Sequence, residues 1–285
     1  MKSFAVPRLE VRQQDRHQRP AAGKRFWRAD CSTPSMRLVV KVGTSLIAPG
    51  GRIDTNRMRA LVDQLDLSHH EYLIVSSGAI ACGMSNLSLP ERPASVPLMQ
   101  ACAAVGQSLL MHTYEQLFFG KKVVAQLLLS SDDFTSPLRY KNLQNALQQL
   151  LQLGVVPIVN ENDSVSVREL VGAFGDNDEL SALLAKAVAA DWLLLLTDVD
   201  GFYGRTGKRP RLLRTVRRLT SQMEELCNGH GQLGTGGMRS KIRAAMTASK
   251  AGVHVAIVNG RHSHAIPWAI ARKIGTYFPP RRKRL

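Results

Sequence analysis

Residues 37–45 read RLVVKVGTS, and this stretch decides the fold. The run RLVVKV is rich in β-branched side chains and ends at Gly43, which is typical of a buried β-strand. Lys41 stands near the end of that strand, and Gly43 would let backbone N–H groups approach a phosphate. A Gly-Thr-Ser sequence after a strand is also a common turn, so the rest of the chain has to decide between the two interpretations.

The pattern of an apolar strand followed by a helix repeats along the chain. Apolar runs predict further strands at residues 72–80 (breaking at 76–78), 123–129, 155–160, 191–198 and 253–258. Helices are predicted from an Asp54-Thr55 cap to about Leu67, and at 97–118, 138–152, 177–189 and 237–251. This alternation predicts an α/β protein, a three-layer αβα sandwich with a mostly parallel central sheet. Ligands of such sheets bind beyond the carboxyl ends of the strands, so the loops after the strands should carry the chemistry.

The most specific of these loops is GTGGMRSK at residues 234–241. Its glycines precede a predicted helix, and Lys241 lies about one turn inside that helix. The free amides and the positive end of the helix dipole make such a terminus a phosphate site. Neither the Walker pattern G-x-x-x-x-G-K-[ST] nor the Rossmann pattern G-x-G-x-x-G occurs in the sequence.

Four other loops carry polar clusters: SSGAI (76–80), NEND (160–163), GDND (175–178) and Thr197-Asp198. The first has small residues whose amides suit an anionic carboxylate, and the second has acceptors that suit an ammonium group. The third has more acidic and amide side chains than a helix cap requires, and the fourth could bind a nucleotide base or ribose. Taken singly, SSGAI is better explained as a tight turn, NEND and the Thr197-Asp198 loop have a turn as their alternative, and a cap explains only one polar residue of GDND.

Composition excludes several classes of protein. The 285 residues are 44% hydrophobic, so wholesale disorder is excluded, and no apolar run approaches the ~20 residues that span a bilayer. The four cysteines show no CxxC spacing, which argues against a disulfide scaffold or a zinc ribbon. With 38 basic and 22 acidic residues, the formal net charge is +16, which suits an anionic ligand such as nucleotide phosphate or nucleic acid.

The ends of the chain differ from its middle. Residues 1–35 lack a sustained apolar period, and we expect a disordered basic arm or an upstream extension, with Met36 as another possible start. The folded domain is predicted at residues 36–280, followed by a basic tail at 281–285.

In combination, the motifs resemble the glutamate 5-kinases of the amino acid kinase family. The resemblance runs in order from about residue 37 to Phe278. It rests on KVGTS, SSGAI, AAVGQS (103–108), YEQLF (114–118), VNENDSV (159–165), GDNDELSA (175–182), LLLLTDVDGFY (193–203) and GTGGMRSK. Many bacterial members continue into a PUA domain; this sequence stops at Leu285, and we expect that domain to be missing.

The resemblance implies the amino acid kinase fold, a reaction and a set of site residues. The reaction is ATP-dependent phosphorylation of the γ-carboxylate of L-glutamate, the first step of proline biosynthesis. Lys41, Lys241 and Asp178 would be catalytic, and Ser77, Asp163 and Asn177 would bind glutamate. The residues expected on ATP are Lys41, Thr197, Asp198, Thr235, Gly236, Gly237, Met238, Arg239, Ser240 and Lys241.

The resemblance also implies Mg²⁺ as the ion that accompanies ATP, although its protein ligands are not indicated. A dimer or tetramer, functional coupling to glutamyl phosphate reductase and a cytoplasmic location are expected on the same basis. Two alternatives remain open at this stage. One is a kinase for aspartate or N-acetylglutamate, and the other is a basic nucleic-acid-binding protein on a kinase-like scaffold, which the seven basic residues between Arg205 and Arg218 favour.

A protein that begins at Met36 should keep its fold and its turnover. Residues 1–35 lack a core-forming pattern, and the first motif residue is Lys41. The check is kcat of the shortened protein beside that of the intact chain. A large drop in kcat at unchanged expression would contradict the prediction.

Overall fold

The computed structural model describes residues 34–165, 177–206, 209–219 and 237–281. Its strands are β1 (Arg37–Val42), β2 (Glu71–Ser76), β3 (Val124–Leu129), β4 (Val156–Glu161), β5 (Trp192–Thr197), β6 (Tyr203–Thr206), β7 (Arg209–Leu212), β8 (His254–Asn259) and β9 (Thr276–Phe278). The six predicted strands correspond to β1–β5 and β8. Short runs of aliphatic and β-branched residues form them because both faces of the inner strands are buried, whereas most residues of the edge strand β3 are only partly buried.

Seven strands form one sheet in the order β3-β4-β2-β1-β5-β8-β9. All pairs from β3 to β8 are parallel, and β9 runs antiparallel to its neighbour β8. The order places β1 in the middle: the chain continues from β1 to β2 on one side and later returns to β5 on the other. In an open parallel sheet, such a change of direction leaves a crevice at the carboxyl ends of the two strands that border it, here β1 and β5. Lys41 is the next-to-last residue of β1 and therefore lies at that crevice.

The helices are α1 (Thr44–Ile47), α2 (Thr55–Val62), α3 (Ala79–Asn86), α4 (Val96–Phe118), α5 (Asp132–Thr135), α6 (Pro137–Gln152), α7 (Asn177–Ala187), α8 (Met238–Lys250) and α9 (Ala265–Ile270). The predicted Asp54 cap is confirmed, since its carboxylate accepts a hydrogen bond from the Arg57 backbone amide. The predicted end of that helix at Leu67 is wrong. The helix ends at Val62, and in the following loop the Tyr72 hydroxyl accepts a hydrogen bond from the Asp66 amide.

The alternation of β1 sends its side chains into two separate cores. Leu38, Val40 and Val42 join a cluster with α1, α2, α4 and α9. Val39 joins a second cluster, on the opposite face, with α6, α7 and α8. The predicted three-layer αβα sandwich is therefore confirmed. Because strand side chains alternate with a period of two, Lys41 lies on the Val39 face, the one that α7 and α8 cover.

Some features lie outside the sequence prediction. The hairpin β6–β7 and the antiparallel edge strand β9 were not predicted, and the hairpin contains part of the basic run between Arg205 and Arg218.

The expected basic arm (1–35) and tail (281–285) fall almost wholly on residues outside the described ranges. In the described part of the chain, no helix is both long and apolar enough to cross a bilayer.

Two glycines set the distance between α3 and α4. A Cβ atom on Gly83 would stand 1.8 Å from the Cys102 carbonyl oxygen, and one on Gly106 would stand 1.8 Å from the Ala79 carbonyl oxygen. The two backbones therefore touch, which no residue with a side chain would permit. The crossing fixes the start of α3, which begins within the SSGAI motif, against the middle of α4. The Tyr114 hydroxyl of α4 also donates to Ser76 Oγ (3.1 Å) at the end of β2.

Replacing Gly106 with alanine should strongly destabilise the protein. The added methyl group meets backbone atoms, which cannot rotate away, so the helices must separate. We expect a loss of at least about 1–3 kcal/mol in the free energy of unfolding, the usual result of overpacking. Ser108→Ala, at an exposed position on the same helix, is the control and should change stability little. Equal unfolding midpoints for the two variants in a urea titration would contradict the close crossing.

Candidate active site

A buried carboxylate between two lysines lies at the crevice between β1 and β5. Lys41 Nζ is 2.7 Å from Asp178 Oδ1, and Lys241 Nζ is 3.0 Å from Asp178 Oδ2. The Asp178 side chain is fully buried, and the lysine side chains are 5% and 10% exposed. The three residues come from β1, α7 and α8, which are far apart in the sequence. The structure therefore brings together the three residues that the sequence assigned to catalysis.

The charge of Asp178 depends on its partners. Burial alone raises the pKa of this carboxyl group, but Lys41, Lys241 and a hydrogen bond from Ser240 outweigh burial and hold the pKa well below its ordinary value. Asp178 is consequently ionised at neutral pH. Because one negative charge faces two positive ones, the cluster keeps a net positive charge. Such a cluster favours an anionic ligand.

The first turn of α8 forms one wall of this site. Ser240 Oγ donates to Asp178 Oδ2 (2.7 Å), a contact that the sequence did not indicate. Met238 is partly buried against the core beside α7, and Arg239 is exposed. Gly237 precedes the helix in an extended conformation. Thr235 and Gly236, which were also predicted to bind ATP, lie outside the described residues.

The carboxyl ends of β5 and β8 form the adjacent wall. Thr197 ends β5 beside Asn259, the last residue of β8, and its hydroxyl donates to Asp198 Oδ1 (3.3 Å). Asp198 is partly exposed, and Arg261 approaches it at 3.9 Å. Asn259 also donates to Asp200 Oδ1 (2.9 Å), and this hydrogen bond is the main cause of the lowered pKa of Asp200. Sequence reasoning placed Thr197 and Asp198 here but missed Asn259 and Arg261.

A chain of neutral polar side chains lies on the other side of β1. Asn177 Nδ2 donates to Ser77 Oγ (3.0 Å) and to Asn160 Oδ1 (3.0 Å). Asn160 Nδ2 in turn donates to Gln107 Oε1 (2.9 Å) on α4. All four side chains are buried. Ser77 and Asn177 are two of the three residues that the resemblance assigns to glutamate, and the structure brings them into direct contact.

Local backbone geometry explains how Ser77 reaches this position. The Ser77 amide donates to the Val42 carbonyl (3.2 Å), which ties the end of β2 to the end of β1. Gly78 follows with φ of 99°, a left-handed conformation that favours glycine, and α3 begins directly afterwards. The break that the sequence predicted in SSGAI is therefore a sharp turn between a strand and a helix.

The remaining predicted site residues are only partly described. Asp163 is buried in the turn directly after β4, three residues beyond Asn160. Gly175 and Asp176, the first half of the GDND motif, lie outside the described residues. Gln107 belongs to the AAVGQS motif but received no role. The signal that could have found it is a polar side chain at helical spacing among the buried positions Ala103, Leu110 and Tyr114 of α4.

The arrangement has a lysine–aspartate end and an amide end. Asn177 and Asp178 are the first two residues of α7, and each contacts a different end: Asn177 the amide chain and Asp178 the lysines. A ligand that lies between them would meet amide groups at one end and ammonium groups at the other. Such a site suits a small polar molecule whose reacting end is anionic and faces a polyanion.

Comparison with known proteins identifies the family of the chain. Residues 36–259 match the amino acid kinase family. The chain is 43% identical over 258 residues to glutamate 5-kinase of Carboxydothermus hydrogenoformans, covering 87% of this chain and 69% of that protein. It is 42% identical to glutamate 5-kinase of Clostridium acetobutylicum and 43% identical to that of Listeria monocytogenes. Those matches cover 87% of this chain in each case, and 96% and 95% of the two relatives.

Solved structures with the same fold are more distant in sequence. Carbamate kinase from Giardia lamblia bound to AMP-PNP aligns with a TM-score of 0.59 at 17% identity, covering 86% of this chain and 98% of that one. An isopentenyl phosphate kinase aligns with a TM-score of 0.57 at 17% identity, covering 85% and 99%. These likenesses show the fold alone. On the evidence of the family match and the sequence identities, the chain belongs to the amino acid kinase family and, within it, to the glutamate 5-kinases.

Proposed function

We propose that the protein transfers the γ-phosphoryl group of ATP to the γ-carboxylate of L-glutamate, giving ADP and L-glutamyl 5-phosphate, the first step of proline biosynthesis. The observation that carries the proposal is the Lys41–Asp178–Lys241 cluster, buried at the carboxyl ends of the strands. Membership of the glutamate 5-kinases supplies the identity of the substrate.

The chemistry requires cations rather than a base. The nucleophile is a carboxylate, which is already ionised at neutral pH because a free glutamate side chain titrates near about 4.3. The barrier arises from bringing this anion to a polyanion and from charge that spreads over the transferring phosphoryl oxygens. Lys41 and Lys241 supply positive charge from two sides, while Asp178 holds both ammonium groups at fixed positions.

The nucleotide is assigned to the wall made by the carboxyl ends of β5 and β8 and the first turn of α8. Thr197 and Asp198 lie where the base or ribose would bind, and the amides at the start of α8 suit the phosphates. In the described ranges, no three His, Cys, Asp or Glu side chains form a group that could hold a metal ion. Mg²⁺ would accompany ATP and neutralise part of the charge of its phosphates, as is usual for this ion.

Glutamate is assigned to the amide end, to which the carboxyl group of Asp163 is added. The acceptor oxygens of Asn177 and Asp163 suit its α-ammonium group, and the Ser77 hydroxyl with the neighbouring amides suits a carboxylate. In this pose the γ-carboxylate extends toward the lysines. The distance between the two ends would then select the length of the substrate.

The alternatives fit less well. The matched relatives are glutamate 5-kinases rather than kinases for aspartate or N-acetylglutamate. A role limited to nucleic-acid binding would leave the buried lysine–aspartate cluster unexplained, because nucleic-acid contacts are made by exposed basic side chains. The reaction product is an acyl phosphate, so coupling to glutamyl phosphate reductase follows from the proposal. That coupling, a dimer or tetramer and a cytoplasmic location all remain predictions.

Replacing Lys241 or Lys41 with alanine should act mainly on the chemical step. Each ammonium group offsets charge that develops in transfer, so its loss should lower kcat by a few orders of magnitude, comparable with about 3–4 kcal/mol for one electrostatic stabiliser. The KM for ATP should change less. Trapping of the acyl phosphate with hydroxylamine measures both constants. A variant with near-normal kcat would remove that lysine from the mechanism.

The wild-type protein should phosphorylate L-glutamate and convert little aspartate or N-acetylglutamate. Aspartate is one methylene shorter and would fall short of the phosphate, and an acetyl group removes the positive charge that Asp163 would face. The decisive experiment is the hydroxylamine assay across a panel of amino acids. A better rate with either analogue would exclude the proposed substrate.

Asp163→Ala and Asn177→Ala should each raise the KM for glutamate much more than the KM for ATP. Both residues are assigned to the α-ammonium group, and loss of a partner for a charged group weakens binding by about 1.5–3 kcal/mol. Asp198→Ala is the matched comparison, since it should affect ATP more than glutamate. An unchanged KM for glutamate in the Asp163 variant would show that this residue does not bind the amino group.

A further inference from the structure

Gln107 is a polar residue on the buried face of α4 that the proposed mechanism does not use. It is 7% exposed and follows Gly106, the glycine that brings α4 against the start of α3. Its Oε1 accepts a hydrogen bond from Asn160 Nδ2. Gln107 thus forms the end of the amide chain that runs through Asn160 to Asn177.

The direction of every hydrogen bond in this chain of amide side chains follows from one backbone group. The Glu161 amide can only donate, and it donates to Asn160 Oδ1 (2.9 Å), so that atom is the oxygen of the Asn160 side chain. The opposite atom of Asn160 is then its NH₂ group, and the Gln107 atom that faces it must be Oε1. Likewise, the Asn177 atom that faces Asn160 Oδ1 must be its NH₂ group.

The two ends of this amide chain therefore present different groups, a donor at one end and an acceptor at the other. Gln107 presents the NH₂ donor Nε2, and Asn177 presents the acceptor Oδ1. Both atoms are buried, and neither has a hydrogen-bond partner among the described residues. A buried polar atom without a partner is unfavourable by about 1–3 kcal/mol, so two of them in one chain need an explanation.

A free α-amino acid supplies the complementary pair. Its α-ammonium group donates and its α-carboxylate accepts, and both are attached to one carbon atom. Asn177 and Asp178 fix the orientation: the α-carbon lies near the amide chain because the γ-carboxylate must face the lysines on the Asp178 side. The donor at Gln107 is then available for the α-carboxylate.

We propose that Gln107 is a further substrate-binding residue, whose Nε2 donates to the α-carboxylate of glutamate while Asn177 Oδ1 accepts from the α-ammonium group. The proposal rests on the proposed function and adds a determinant of specificity to it. Gln107 selects substrates with a free α-carboxylate, because a hydrogen bond to a charged acceptor is stronger than one to a neutral amide.

The test is a change in specificity made by Gln107→Glu. Glutamate at this position keeps an oxygen for Asn160 Nδ2 but replaces the donor with a second oxygen, which repels the α-carboxylate. L-Isoglutamine, in which the α-carboxylate is an amide, keeps the ammonium group and the γ-carboxylate and offers an NH₂ group to the new carboxylate. We expect kcat/KM for glutamate to fall by roughly 10- to 100-fold, with a smaller fall for L-isoglutamine.

Gln107→Met and a matched control complete the experiment. Methionine has a similar volume and no donor, so it should weaken glutamate binding and remove most of the preference for glutamate over L-isoglutamine. Gln116→Glu makes the same change at an exposed position of α4 and should leave both substrates unaffected. Unfolding midpoints of all variants separate a folding defect from a binding defect.

The outcomes distinguish this inference from the proposed function. If the wild type does not phosphorylate glutamate, the proposed function fails. If the wild type is active and Gln107→Glu keeps the wild-type ratio of kcat/KM between glutamate and L-isoglutamine, only the inference about Gln107 is overturned. A fall that is equal for both substrates would assign Gln107 to support of Asn160 and would also overturn it.

Discussion

The carboxylate of Asp178 lies in the interior of the protein between the ammonium groups of Lys41 and Lys241, and the rest of the site depends on that arrangement. Burying three charges is unfavourable, and the attraction between them offsets that penalty only when the geometry is good. Removing Asp178 would leave two like charges close together in a medium that screens them poorly. The surplus positive charge that remains is best explained by function, since the γ-phosphate of ATP and a substrate carboxylate both require it.

Three elements deliver these charges, and one of them does so against its local preference. The alternation of β1 turns Lys41 toward α7 and α8, and Asp178 lies in the first turn of α7, where the helix dipole favours an acid. Lys241 lies in the first turn of α8, where the same dipole disfavours a cation. Asp178 compensates for this repulsion. A lysine kept at an unfavourable position is consistent with a role in binding phosphate rather than in folding.

The sequence was sufficient to predict the sheet, because buried parallel strands are continuous apolar runs with polar loops at their ends. It was insufficient for the antiparallel strand β9, which has only three residues, and for the hairpin β6–β7, whose basic side chains resemble a solvated loop. Among the site residues, Lys41, Asp178 and Lys241 could be predicted because they stand at the ends of recognisable elements. Gln107 could not be assigned, since its partner Asn160 is 53 residues away and only the close helix crossing brings them together.

The division of the site into a charged end and an amide end has an electrostatic reason. A cation placed beside the α-carboxylate would bind it tightly, but it would add to the surplus positive charge around Lys41 and Lys241. The side chains of Gln107, Asn160 and Asn177 supply donors and acceptors without adding charge, and their protonation does not change near neutral pH. In the proposed pose, recognition of the amino acid can therefore be strengthened or weakened at the amide end without altering the charge that acts on the phosphoryl group. The single backbone amide of Glu161 sets the polarity of that whole end, so the pattern of donors and acceptors is fixed before any ligand arrives.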